Sequence, residues 1–173
     1  MFYKNEALAI IIDGASIHSA SQSVDLQIDW HTFLTEFQNR GHLIRAIYAT
    51  PIFEDEGEHN PLRPLIDWLD YNGFTTITRT ARKEADDNGR FRIKNGNIHV
   101  DVTLAAIRLA KKADHIVLFS GDGSYEPLVK ELKRMNVRVS VCCAKKSAAD
   151  GLRRNADEFI DLEDIRGLVG RAT

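Results

Sequence analysis

The chain alternates short, wholly apolar runs with longer stretches in which apolar residues recur every three or four positions. Leu8-Ala9-Ile10-Ile11-Ile12 and His115-Ile116-Val117-Leu118-Phe119 have almost no polar face, which predicts strands buried on both sides, as in a parallel sheet. His42 to Ala49, the threonine-rich Phe74 to Thr80, and the alternating Val137, Val139 and Val141 predict further strands, with a short last one around Phe159-Ile160. Between them lie helical stripes. Asp29 reads as the N-cap of a helix bearing Trp30, Phe33, Leu34 and Phe37, and Gly41 ends it. Pro61 opens a second helix with Leu62, Leu65, Ile66 and Leu69 on one side, closed by Gly73. Further stripes are Val102, Ala105, Ala106 and Leu109, then Tyr125, Leu128, Val129 and Leu132, then a helix from about Ala148 to Asn155, and finally Leu162, Ile165, Leu168 and Val169. Trp30 and Trp68 fall in such stripes and are expected in the core.

Strands alternating with helices require right-handed crossovers. The predicted fold is therefore α/β, a three-layer α/β/α sandwich with a mostly parallel sheet. Residues 81–97 break the alternation: they are polar, basic and punctuated by Asp87-Asn88-Gly89 and Asn95-Gly96-Asn97, which predicts a hairpin or flap around 80–97. No linker or repeat divides the 173 residues, so a single domain spanning 1–173 is expected.

Composition is that of an ordinary globular protein, 43% hydrophobic and 28% charged. No apolar run approaches the roughly 18 residues of a membrane span, and no signal peptide is visible, so no membrane association is expected. Cys142 and Cys143 are adjacent and build no disulfide framework, which makes the reducing cytoplasm the expected location. The net charge of -2 neither demands nor excludes a nucleic acid. Its distribution is more telling: Arg79, Arg82, Lys83, Arg90, Arg92 and Lys94 outnumber Glu84, Asp86 and Asp87 in the predicted hairpin. With Lys145-Lys146 and Arg153-Arg154 they form a candidate track for an RNA backbone, and Phe91 is a candidate stacking ring; a solvated hairpin is the plainer alternative. The acidic run Glu54 to Glu58 reads as a solvated turn.

The chemistry concentrates where two apolar strands end. The first runs into Asp13-Gly14-Ala15-Ser16, and the second into Ser120-Gly121-Asp122-Gly123-Ser124. Carboxyl ends of parallel strands are where α/β folds place ligands. A dinucleotide fingerprint, a phosphate-binding Gly-Lys-Ser/Thr loop and the second acid of an aspartyl-phosphate hydrolase are all absent, Ala15 standing where that acid belongs. Oxygen ligands without Cys/His spacing favour Mg²⁺ or Mn²⁺. Each candidate also has a structural reading: Asp13 as a strand-end residue capping the next turn, Asp122 as the cap of the following helix, Asp101 as a solvent-facing helical acid, Ser120 and Ser124 as turn or cap residues.

Ile12-Asp13-Gly14-Ala15-Ser16, Val100-Asp101-Val102, Phe119-Ser120-Gly121-Asp122-Gly123-Ser124-Tyr125, Arg63 to Gly73 and the tail from Leu152 to Leu162 together resemble the NYN domain family, and within it the bacterial LabA-like branch of the PIN-like nuclease fold. The resemblance implies a ribonuclease that hydrolyses RNA phosphodiesters with Mg²⁺ or Mn²⁺. It also exposes departures. Ser16 stands where the family usually has Asn, and Ser124 where it has a second Asp. Its middle motif, an Asp followed six residues later by another acid, falls on Asp101 and Ile107 in one register, and on His99 and Ala105 in the gapless register preferred here. His99 then replaces an acid: it binds a softer metal such as Mn²⁺ or Zn²⁺, contacts phosphate when protonated, or marks a lost ligand. Asp13, Asp122 and Asp101 are the candidate catalytic and metal-binding residues, with Ser16, His99, Ser120 and Ser124 as accessories. Two metals about 4 Å apart need more carboxylates than these. The expectation is a single weakly held ion and weak ribonuclease activity. The alternatives are an inactive RNA-binding or regulatory module, and a homodimeric interaction domain.

Overall fold

The computed structural model describes residues 2–53, 60–85, 91–94 and 96–171. Strand β1 (Ala7–Asp13) runs directly into helix α1 (Gly14–Ser23), followed by α2 (Trp30–Arg40), β2 (His42–Phe53), α3 (Arg63–Tyr71), β3 (Thr75–Ala85), β4 (Phe91–Lys94) and α4 (His99–Leu109). Then come β5 (His115–Phe119), a single 3-10 turn (Gly123–Tyr125), α5 (Glu126–Arg134), β6 (Arg138–Cys143), α6 (Asp150–Asn155), β7 (Glu158–Asp161) and α7 (Arg166–Val169).

The sheet order is β4-β3-β2-β1-β5-β6-β7, with every pairing parallel except β3 with β4. The central strand explains the layering. Its alternate residues Leu8, Ile10 and Ile12 pack into one buried cluster with Ile17 of α1, Phe33 and Phe37 of α2 and Val169 of α7. Ala9 and Ile11 face the other way, into a cluster with Val102 and Ala106 of α4, Leu128, Val129 and Leu132 of α5, and Leu152 of α6. A strand with helices on both faces has no place for a polar residue until it ends. The expected three-layer α/β/α architecture is thus present. Trp30 and Trp68 are partly buried against the first cluster.

Helix α1 lies where the sequence pattern predicts none. Its residues Gly-Ala-Ser-Ile-His-Ser-Ala-Ser-Gln-Ser include one large apolar side chain, Ile17, and bury only it with Gly14, Ala20 and Ser21. A stripe made of small residues carries no visible periodicity. The helix is set instead by the Asp13 cap and by close packing. Other boundaries shift modestly. Asp29 caps α2 as expected, accepting from the Thr32 N–H. Helix α3 begins at Arg63 with Pro64 in its first turn, rather than at Pro61, and Gly73 follows it with φ +93, a left-handed value that a side chain would strain. Within the predicted hairpin or flap, β3 and β4 pair antiparallel, Arg82 with Lys94, Lys83 with Ile93, Glu84 with Arg92 and Ala85 with Phe91. The candidate Arg90 and the acidic run at 54–58 lie outside the described residues.

At the opposite end of the sheet, His115 is fully buried. Its Nδ1 is 2.9 Å from Arg138 Nη2, which can only donate, so its Nε2–H donates to Ser140 Oγ at 2.8 Å. Ser140 in turn donates to Glu158. Burial, and then the charge of Arg138, push the imidazole pKa down from 6.5 to about 4. A base whose folded pKa lies below its unfolded one leaves stability intact above the unfolded value and removes it as pH falls towards the folded one. Stability should therefore fall between pH 6.5 and about 4, by on the order of 2–3 kcal/mol from this residue. Urea unfolding across that window should show the loss, and His115→Gln should flatten it.

Candidate metal centre

In this sheet order, β1 lies between β2 on one side and β5 on the other, and the chain leaves it in opposite senses. The divergence opens a crevice at the carboxyl ends of β1 and β5. Asp13 closes β1 and Asp122 follows β5, so the strand register delivers both acids to one place.

Each carboxylate is fixed by the helical turn that follows it. Asp13 Oδ1 accepts from the Ser16 N–H at 3.2 Å, capping α1, while its Oδ2 accepts from Ser120 Oγ at 3.2 Å. Asp122 Oδ1 accepts from the Ser124 N–H at 2.8 Å, and its Oδ2 lies 2.8 Å from His99 Nε2. The two segments are laced together. Ser16 Oγ accepts from the Gly121 N–H at 2.9 Å, and Ser120 Oγ accepts from the Asp122 N–H at 3.1 Å. Ser16, Ser120 and Ser124 thus serve the turns, Ser124 through its backbone. Glycine is required on both sides of the lacing. A Cβ at Gly14 would lie 2.6 Å from the Tyr48 hydroxyl, and one at Gly121 would lie 2.5 Å from the Ser147 carbonyl oxygen.

His99 begins α4 and enters the crevice from the sheet face opposite α1. Its Nδ1 is 2.7 Å from Asn97 Oδ1, which also accepts the His99 backbone N–H at 2.9 Å. Asn97 thus holds the ring through Nδ1, as second partners of metal-binding histidines commonly do, while Nε2 meets the Asp122 carboxylate and would have to turn from it to present its lone pair to a cation. One donor atom each from Asp13, His99 and Asp122 lies within 4.8 Å of the others. Sequence reasoning missed Asn97; the signal was an Asn two residues before a histidine, read only as a turn.

The site grades from dry to wet: Asp13 is 4% exposed, the side chain of His99 31% and that of Asp122 38%. Burial pushes the Asp13 carboxyl up, and the nearby Asp122 charge adds to it, against opposing pulls from Ser16, Ser120 and His99. Burial also raises Asp122, but the Ser124 and His99 hydrogen bonds outweigh it and leave the carboxyl below its usual range. Tyr48 is pushed up to about 12, chiefly by burial and then by Asp13. Tyr125, its ring 4.9 Å from that of His99, is raised by burial and by both acids.

These residues fit a divalent cation. Two carboxylates and an imidazole supply mixed oxygen and nitrogen ligands and too few of them to complete an octahedron, leaving places for water. Among the described residues, the buried Tyr125 hydroxyl has no hydrogen-bond partner. A buried polar atom beside an acidic pocket is what a water held by a cation would satisfy.

The other candidates lie elsewhere. The expectation that Asp101 joins the two strand-end acids is not met. Two residues beyond His99 on α4 it points about 200° away, and both its oxygens accept from Arg79, at 2.7 and 2.8 Å. Those hydrogen bonds hold its carboxyl below the usual range. Arg79 is thus paired with Asp101 although its side chain stays more than half exposed, Arg82 is exposed on β3, and the backbone register sets Lys94 opposite Arg82, Arg92 opposite Glu84 and Lys83 opposite Ile93. Lys145 and Lys146 are exposed next to Ser147, which lines the acidic pocket. Arg153 lies over the Phe159 ring.

The NYN domain model matches residues 7–163. The chain belongs to the NYN domain family. This is a nuclease-like domain, and a divalent metal accords with it. Over 172 residues the chain is 28% identical to the low amplitude and bright protein LabA of Synechococcus elongatus, covering 98% of this chain and 90% of LabA. A crystal structure of a protein of unknown function from Vibrio parahaemolyticus superposes with a TM-score of 0.73 at 22% identity, over 95% of this chain and 97% of the other, which establishes the shared fold. Among the described residues of this NYN domain, no helix is long and apolar enough to cross a membrane.

If the cluster holds an ion, Mn²⁺ at 100 times its dissociation constant should stabilise the fold by about 2.7 kcal/mol. Thermal unfolding should show the shift in the unmodified protein and in Asp101→Asn, and should lose it in Asp13→Asn and His99→Ala. Loss in Asp101→Asn alone would place the ion elsewhere.

Proposed function

We propose that this NYN domain is a Mg²⁺- or Mn²⁺-dependent ribonuclease that works with a single, weakly held ion. The observation that carries the reading is the convergence of Asp13, His99 and Asp122 within 4.8 Å in an open pocket at the carboxyl end of the sheet. When bound, such a cation neutralises the phosphate and lowers the pKa of an attacking water. The protein's part is to hold and orient. Asp13, anchored by Ser16 and Ser120, supplies the buried anchor, while Asp122 and His99 supply the more exposed side facing the substrate. Asn97 holds the imidazole through Nδ1, and Nε2 would turn from Asp122 to serve the ion.

The pocket of about 340 Å³ is bordered by Gly96 of the β4–α4 connection, Pro51 and Ser147. Lys145 and Lys146, exposed next to Ser147 on its wall, supply sequence-independent attraction for RNA, with affinity that falls steeply as salt rises. Asp101 acts here as the residue that orients Arg79, not as a ligand. The two free, buried cysteines accord with action in a reducing, cytoplasmic compartment.

Incubating the purified protein with single-stranded RNA and Mn²⁺ tests the reading. Cleavage should require the ion and vanish in Asp13→Asn, while salt-sensitive RNA binding persists in that variant. Asn97→Ala should weaken Mn²⁺ binding about 10- to 100-fold. Equal cleavage by Asp13→Asn would indicate a contaminant and contradict the proposal. RNA binding without cleavage by the unmodified protein would make it a non-catalytic module.

A further inference from the structure

Beside the acidic pocket lies a second and larger cavity, of about 600 Å³, within the roughly 300–1,000 Å³ usual for ligand pockets. The two share Ala15 and Pro51 on their walls, so they meet over the start of α1. We propose that this cavity is a nucleobase subsite, receiving a base adjacent to the phosphodiester held at Asp13, His99 and Asp122. This rests on the ribonuclease reading for its place in the reaction, but not for its ability to bind.

Three aromatic side chains line the cavity, Trp30, Tyr48 and Phe53. Tyr48 is buried, wedged over Gly14 and packed edge to face on Trp30 with centroids 5.2 Å apart, so it fixes the ring of the half-buried Trp30, which with the half-buried Phe53 is left to meet a ligand. Aromatic faces accept any base by stacking. Gln22, Gln27, Asp25 and His18 also line the cavity, groups able to donate to and accept from a base edge. No Lys or Arg appears among the described residues lining it, which disfavours a phosphate and suits an uncharged ring.

The wall carrying these polar groups is braced. Arg166 of α7 donates to the carbonyl oxygens of Val24 and Asp25, Ile28 bridges Gly170, and the Arg171 N–H donates to the Gln27 carbonyl at 2.9 Å. Asp25 itself has φ 48, so the loop holds a left-handed turn at the cavity mouth.

The test is titration of the full-length protein with adenosine, guanosine, cytidine and uridine, without metal, followed by NMR at the Trp30 indole and the Gln22 and Gln27 side-chain amides. At least one nucleoside at millimolar concentration should shift all three. Gln22→Trp, at an exposed helix position, should fill the space and weaken binding about tenfold or more, and Gln27→Ala should weaken it less. Asp13→Asn should bind nucleosides normally. In RNA cleavage, the unmodified protein should prefer certain bases next to the cut, and Gln22→Trp should level that preference. Nucleoside binding by a protein that cuts no RNA retains the subsite and overturns only the ribonuclease reading. Cleavage without base preference, with no nucleoside shifting these signals, overturns the subsite alone.

Discussion

Two carboxylates stand close together at the middle of the sheet because each commits one oxygen to the backbone N–H of the helical turn that follows its strand. Asp13 holds the start of α1 through Ser16, and Asp122 holds the 3-10 turn through Ser124. A negative charge at a helical N-terminus is favourable in itself, and this offsets part of the mutual repulsion. The remaining oxygens are left with Ser120 and His99. Capping and metal binding, which compete as explanations of a strand-end aspartate, are here compatible uses of its two oxygens.

That arrangement depends in turn on the central strand. With Leu8, Ile10 and Ile12 buried on one face and Ala9 and Ile11 on the other, β1 has no freedom to slip without burying a polar residue. Register therefore fixes Asp13, and the parallel pairing of Ile12 with Phe119 fixes where the chain leaves β5 towards Asp122. The serine lacing then needs close backbone approach, which Gly14 and Gly121 permit. Sheet burial, turn capping and two glycines are one device, and its product is a pocket with a dry acid at the bottom and a wetter acid and imidazole above.

The same logic separates what could be read in the sequence from what could not. Strands with continuous apolar runs, the Asp29 cap and both site aspartates were legible because each rests on local pattern. Helix α1 was not, since Gly14, Ala20 and Ser21 bury surface without hydrophobic periodicity. His99 and Asp101 were legible as candidates but not as a choice between them. The choice is made by rotation along α4 and by Arg79, a partner from another strand. Asn97 and the unpartnered Tyr125 hydroxyl acquire meaning only through neighbours brought together by folding. The basic hairpin was visible as composition, and the pairing of Arg79 shows that a count of cations overstates those offered to a ligand.

The central claim is that Asp13, His99 and Asp122 share one divalent cation. The most direct measurement is anomalous diffraction at the manganese edge from crystals equilibrated with Mn²⁺. One peak bound by Asp13 and Asp122, with His99 Nε2 turned from Asp122 onto the ion, is the predicted result. Contradiction would be a crevice without an anomalous peak while His99 keeps its contact with Asp122, or an ion ligated by Asp101 after release of Arg79.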